Sequence, residues 1–295
     1  MQEPGREKLN IQWYPGHMTK ARRMIEENLA QVDAVCEVLD ARIPRSSANP
    51  DVVRLAAGKP RLVILNRCDL ADPAVTAKWK AVFEAEGARV LETDARSGRG
   101  VNAFVPAVRE LLAEKRRAYE VKGQGGRPLR IMILGIPNVG KSTLINKVAG
   151  RKAALTGDRP GVTRGKQWIS IAEGIDMLDT PGILWPKFDS QEVGEVLALT
   201  SAVKTEVFDV EALAANFMLH LNALYPDALR ERYKIEPSPG AGGYELLEQA
   251  ARKRGFLISR GEADLNRMAG TLLREYHEGK LGRISLESPD AEAKL

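Results

Sequence analysis

The stretch "GIPNVGKST", residues 135–143, decides how this chain is read. It follows the apolar run "RIMILG" (130–135) and opens the helical pattern "STLINKVAG" (142–150). A strand, a turn matching G-x-x-x-x-G-K-[ST] and a helix in that order make a P-loop. Gly135 and Gly140 let the backbone curl until successive N–H groups face phosphate oxygens, and the helix N-terminus adds partial positive charge. The phosphate-binding set is Asn138, Val139, Gly140, Lys141, Ser142 and Thr143. Lys141 would reach the β- and γ-phosphates, and the Ser142 hydroxyl would ligate Mg²⁺. The bland alternative is a glycine turn without function, and the strand–turn–helix context argues against it.

Some forty residues downstream, "DTPG" (179–182) ends another strand pattern. Asp179 there reads as a Walker-B-like carboxylate, holding Mg²⁺ directly or through water, and Gly182 offers a backbone N–H near the γ-phosphate. Between the two motifs lies the polar loop "DRPGVTRG" (158–165), whose Thr163 is a candidate to complete the Mg²⁺ shell and sense the γ-phosphate. The alternative for Thr163 is an ordinary loop residue.

"NRCD" (66–69) directly follows the apolar run "RLVIL". An aspartate at that place accepts from guanine N1–H and N2–H₂, which adenine cannot supply, and a buried acceptor left unpaired enforces the discrimination. Asn66, Arg67 and Asp69 are therefore base-side candidates for GTP and GDP. The motif usually reads Asn-Lys-x-Asp, so Arg67 departs from it, with a planar guanidinium to pack on the base where a lysine stem would lie. A companion base-contacting loop is expected near "ETDARSG" (92–98), at Asp94, Ala95 and Arg96.

The order of these motifs is unusual. GTPases of the Ras type run from P-loop through Thr switch and Asp-x-x-Gly to the guanine motifs. Here the guanine motifs come first. A circular permutation of the same sheet accounts for the order, since domain termini often lie close together. "GQGGRP" (123–128) then bridges the ancestral ends, and the new break falls just after DTPG.

Apolar runs alternating with helical patterns over the first 180 residues predict an α/β fold with a mainly parallel sheet and helices on both faces. "VDAVCEVLDA" (32–41), "RLVILN" and "RIMILG" read as buried strands, and 167–180 as a hairpin turning at Glu173-Gly174. Helices are expected over 74–86 and 102–117. Past residue 200 the apolar spacing is helical throughout, with "EPSPGAGG" (236–243) as a separator. The predicted organisation is a permuted GTPase domain over 1–200 and a small all-helical domain over 201–295.

Composition narrows the class. The chain has 295 residues, is 44% hydrophobic and 28% charged, and has a formal net charge of +5. These values describe a globular protein. No apolar run reaches bilayer length and no signal peptide is read, so a cytoplasmic protein without a membrane role is expected. Cys36 and Cys68 make neither a disulfide framework nor a zinc site. The modest basic excess suits a polyanionic partner without requiring one.

With these motifs in hand, the chain resembles the circularly permuted GTPases, and specifically the ribosome biogenesis GTPase A family. The resemblance rests on "WYPGHMTKA" (13–21), "DARIP" (40–44), "NRCD", "GIPNVGKST", "RPGVT" (159–163) and "DTPGILWPK" (179–187). "YELLEQAARKRG" (244–255) and "GKLGRISLE" (279–287) extend it to the far end. It implies a cytoplasmic GTP hydrolase that binds the large ribosomal subunit precursor and its rRNA late in assembly and leaves after hydrolysis. A monomer without DNA binding is expected.

The resemblance also bears on His17. Ras-like enzymes place a water-orienting glutamine after Asp-x-x-Gly, and here that residue is Ile183, which can neither donate nor accept a hydrogen bond. His17 follows a Pro-Gly turn and precedes the amphipathic pattern Ala21, Met24, Ile25, Leu29, near a helix N-terminus whose dipole disfavours imidazolium. The family assigns water positioning to this histidine. The bland reading has it capping or packing the N-terminal segment. By the same resemblance Asn138 matches an asparagine used with K⁺ near the β/γ-phosphates, and a plain loop asparagine is an equal alternative. Candidate RNA-phosphate contacts are Lys20, Arg22, Arg23, Arg252, Lys253, Arg254, Arg260 and Arg267. A GTP-dependent RNA- or protein-binding module with little catalytic role is the second reading. A P-loop ATPase or kinase is disfavoured by Asp69.

Overall fold

The computed structural model describes residues 18–150, 167–182, 190–203, 209–236 and 238–292, together with Glu7, Leu9, Leu184 and Phe188. The chain divides into two units. One takes in residues 14–186 and 287–295, the other residues 1–13 and 187–286.

Among the described residues the first unit has six strands: β1 (Ala34–Asp40), β2 (Arg61–Asn66), β3 (Arg89–Thr93), β4 (Leu129–Gly135), β5 (Gln167–Ala172) and β6 (Ile175–Asp179). Their order across the sheet is β3-β2-β1-β4-β6-β5. All pairings are parallel except β5 with β6, the expected hairpin turning at Glu173-Gly174. All seven residues of β1, Glu37 and Asp40 among them, are buried, as in a strand covered on both faces. The helix Pro73–Ala85 starts where Asp72 accepts from the Ala74 and Val75 amides and Pro73 presets the first turn. Its Trp79 and Phe83 stack 5.9 Å apart over Leu39, Val63 and Leu65.

The helix expected over 102–117 is instead a 3₁₀ turn (Val101–Ala103) and two helices, Phe104–Leu111 and Ala113–Val121. The break is Leu112, buried and at φ −106, ψ 18. Met18–Leu29 is helical and buries Ile25 and Leu29, as the spacing predicts.

The second unit contains the helices Gln191–Leu199, Val210–Leu224, Gly243–Lys253 and Leu265–His277. Ser190, Asp209 and Asp264 cap the first, second and fourth through their side chains. Leu213, Phe217, Met218 and Leu221 pack with Leu246, Leu247, Met268, Leu272 and Tyr276 in one apolar core. Ala198 and Leu199 also belong to that core. Their helix lies inside the 187–286 unit, whereas the sequence reading drew its border at residue 200.

Candidate active site

Strand register carries the motifs to one edge. Asp40 pairs with Asn66 and Asn66 with Thr93, so three polar residues stand side by side at the C-terminal ends of β1, β2 and β3. Across β1, β4 ends at Gly135 beside Val38, and Asp179 closes β6 beside Ile133. In open α/β sheets ligands bind outside the carboxyl ends of the strands.

The P-loop leaves β4, passes left-handed φ values at Asn138 (59°) and Gly140 (93°), and enters the helix Lys141–Ala149. Asparagine tolerates that region better than most residues. Gly140 has no such latitude, because a Cβ there would lie 2.3 Å from Asn66 Nδ2. Gly182 is demanded by close approach instead. Its Cβ would stand 3.0 Å from the Pro137 nitrogen and 3.1 Å from its Cα, so DTPG lies directly against the P-loop.

Lys141 and Asp179 form a buried ion pair, with 6% and 0% of the residue exposed. Burial pushes the Lys141 ammonium below its ordinary pKa, and the Asp179 charge opposes that shift. The Thr180 hydroxyl donates to the Ile133 carbonyl at 2.8 Å, fixing the strand end from which DTPG departs. Ser142 and Thr143 are half-buried in the first helical turn. The Ser142 hydroxyl and the Asp179 carboxylate are hard oxygen donors, of the kind Mg²⁺ takes when phosphates and waters supply the rest. Among the described residues no group of three His, Cys, Asp or Glu side chains gathers to hold a metal by itself.

On the base side, Asn66 is buried and used at both ends. Its amide donates to the Val139 carbonyl at 2.8 Å, and its oxygen accepts from the Thr93 hydroxyl and the Ala95 N–H, each at 3.0 Å. Arg67, at φ 61, turns its guanidinium to the P-loop and donates to the Asn138 carbonyl at 2.5 Å. Asp69 is exposed. Asp94 shapes its own loop: its carboxylate accepts from the Arg96 and Ser97 N–H groups at 2.9 and 3.2 Å. Burial would raise that carboxyl, and hydrogen bonds from the Ser97 side chain and from the Ser97 and Arg96 N–H groups, with the Arg99 charge, hold it below the usual range. Ala95 is buried, and Arg96 points to solvent. The Arg99 guanidinium, 3.0 Å from Cys68 Sγ, ties this loop back to the NRCD turn.

The structure thus brings together Asn66, Arg67, Ala95, Asn138, Val139, Gly140, Lys141, Asp179 and Gly182. His17, Thr163 and Ile183 lie outside the described residues, as do the side chains of Lys20 and Arg22. Sequence reading missed Asp40, Arg42 and Thr93. The only hint was the "DARIP" text at the end of an apolar run. Among the basic candidates, Arg23 pairs with Glu27 at 2.7 Å and Arg252 with Glu248 at 2.8 Å. Arg254 is turned inward to Glu275 at 3.0 Å. Lys253 and Arg260 are exposed, and exposed Arg267 lies 4.2 Å over the Phe256 ring.

A P-loop, a DTPG strand end and an NRCD turn on one sheet edge, met in permuted chain order, define a circularly permuted GTPase. A family model described as a 50S ribosome-binding GTPase matches residues 130–226. The ribosome biogenesis GTPase A of Priestia megaterium is 43% identical, covering 97% of this chain and all of the relative. That of Thermotoga maritima is 34% identical, with 95% of each chain covered. The GDP-bound structure of TM YlqF superposes with a TM-score of 0.66 at 30% identity, covering 91% of this chain and 100% of that one. The GNP-bound YlqF from T. maritima gives 0.64 at 31% identity, covering 92% and 99%. The chain belongs to the ribosome biogenesis GTPase A family.

Proposed function

We propose that this GTPase binds GTP and GDP at the edge formed by β1, β2, β3, β4 and β6, and that ribosome assembly is its setting. The observation that carries the reading is the joining of the NRCD turn to the P-loop through Asn66 to Val139 and Arg67 to Asn138. One continuous surface then offers Asp69 to a guanine and the Val139–Thr143 backbone to its phosphates. Lys141 exchanges its contact with Asp179 for β/γ-phosphate oxygens. Mg²⁺ would be held by Ser142, Asp179 and Thr163, and it would neutralise negative charge on the phosphates. K⁺ beside Asn138 and water positioning by His17 belong to the same proposal, supported by the sequence and the family.

The partner is the large ribosomal subunit precursor and its rRNA, and the protein works in the cytoplasm as a monomer that does not bind DNA. Among the described residues no helix is long and apolar enough to cross a membrane. GTP binding and hydrolysis serve as a late checkpoint and release switch. The chain supports this by running from DTPG straight into the helical unit, so loss of the γ-phosphate acts on the segment that leads there. Exposed Lys253, Arg260 and Arg267 are the described cations suited to RNA phosphates.

Calorimetry with GDP and ADP tests the pocket, and equal affinities would remove it. Changing Asp69 to Asn is expected to move the preference from guanine toward xanthine nucleotides. Turnover measured with and without large subunits tests the setting. His17→Ala that keeps turnover within about threefold of wild type would remove the histidine's role, since acid–base assistance is worth ~10²–10⁴-fold.

A further inference from the structure

Arg67 stands where the motif usually carries lysine, and its surroundings give the guanidinium two tasks. Nη2 donates to the Asn138 carbonyl at 2.5 Å, while Nη1 lies 3.8 Å from Asp40 Oδ2. A planar fork serves two partners from two separate nitrogens in fixed directions, whereas an ammonium must reach both from one nitrogen on a flexible stem. Asp40 is itself held firmly. It is 2% exposed, and fully buried Arg42 grips its two oxygens at 2.9 and 2.7 Å. The Arg42 N–H adds a third hydrogen bond at 3.0 Å, and the Asp40 N–H donates to Ser47 Oγ at 3.0 Å.

The other end of the chain of contacts lies in the P-loop backbone. A peptide unit is planar and trans, so its carbonyl and the next N–H point in opposite directions. Holding the Asn138 carbonyl on Arg67 aims the Val139 N–H away from the NRCD turn. Holding the Val139 carbonyl on Asn66 does the same for the Gly140 N–H. Two successive donors are thereby aimed by two successive residues of another motif.

We propose that Asp40 is a positioning residue for the phosphate-binding loop: its carboxylate, clamped by Arg42, orients Arg67, and Arg67 sets the peptide plane between Asn138 and Val139. The inference rests on the guanine-nucleotide reading of this edge. It places the cost of disturbing Asp40 on the β-phosphate more than on the base. Charge-assisted hydrogen bonds are the strong members of such networks.

The test is competition binding of GDP and GMP to the full chain. Arg67→Ala should weaken GDP by about tenfold or more and GMP by a clearly smaller factor, as the loss of a charge-assisted contact to the loop, added to any packing on the base, predicts. Asp40→Asn should do likewise, and should add less than about twofold in the Arg67→Ala background, because coupled residues are non-additive. Additive losses, or equal losses of GDP and GMP, would make Asp40 a general structural residue and overturn the proposal. Should Asp40→Asn fail to fold, Arg67→Gln leaves the buried pair intact and keeps an N–H donor without the charge. It should still weaken GDP by about fivefold, and a wild-type GDP affinity there overturns the proposal. A wild-type chain that binds no GDP removes the nucleotide site itself. Wild-type binding with unchanged variants removes this inference alone.

Discussion

Asn66 and Val139 are 73 positions apart in sequence, and the Asn66 amide donates to the Val139 carbonyl at 2.8 Å. With its oxygen serving Thr93 and Ala95, this side chain ties the loops after β2, β3 and β4 together. Asn66→Ala strands a carbonyl, a hydroxyl and an N–H in a buried setting, at about 1–3 kcal/mol for each group that finds no substitute. The expected loss is about 3 kcal/mol by urea denaturation, together with weakened GDP binding. A loss under about 1 kcal/mol would show that water or a shifted loop replaces the amide.

Gly140 tests the same junction from the other strand. An alanine there would combine a strained φ of 93° with a Cβ 2.3 Å from Asn66 Nδ2. The side chain that must retreat is the one holding Val139, so Gly140→Ala is expected to abolish detectable GDP binding while the helical unit stays folded. GDP binding within about tenfold of wild type would mean the P-loop relaxes without losing its curl.

The P-loop, DTPG and NRCD are local texts, each shaped by its own strand–turn context, and strand register did the rest. β3 escaped because "RVLET" mixes exposed and buried positions without the clean apolar run of β1 or β2. The single helix expected over 102–117 failed because Leu112 turns into the core, a decision made by packing and not by helical spacing. Asp94 and Arg67 were assigned to the base from motif position alone. Their use within the loop and toward the P-loop depends on neighbours 2 to 71 positions away. Asp40 and Arg42 pair with each other in the interior, which no charge count reveals.

Glu287 shows the same limit at the C-terminus. Its carboxylate accepts from the Arg45 and Ser46 N–H groups at 3.0 and 3.1 Å, and its carbonyl from Trp79 Nε1 at 3.2 Å. These contacts pin residues 287–292 to the turn that follows Asp40. Glu287→Ala is expected to cost about 1 kcal/mol. That should lower the Tm of the α/β unit by about 2–4 °C in calorimetry. The exposed Lys78–Asp290 pair beside it should matter little, and Asp290→Ala is expected to leave Tm unchanged. The reverse ranking of the two variants would refute this account of the tail.

Glu275 gives the helical unit a pH dependence whose sign can be worked out. It is 4% exposed and accepts from Tyr233 Oη at 2.8 Å, Arg232 Nε at 3.1 Å and Arg254 Nη2 at 3.0 Å. Burial alone would raise its carboxyl. The hydrogen bonds from Arg232 and Tyr233 and the charges of Arg254 and Arg232 outweigh burial and hold it below the usual carboxylate range. A carboxyl whose folded pKa is depressed contributes stability that is fully present above its unfolded value of about 4.3. That contribution is lost as pH falls through the lower folded value. Wild-type protection of the Leu265–His277 amides from hydrogen exchange should therefore hold from pH 7 to about pH 5 and decline on further acidification. Glu275→Gln should be less protected than wild type at neutral pH, and the gap should narrow toward pH 3. A gap of constant size across that range would mean the arginines stabilise the helices by packing and not by charge.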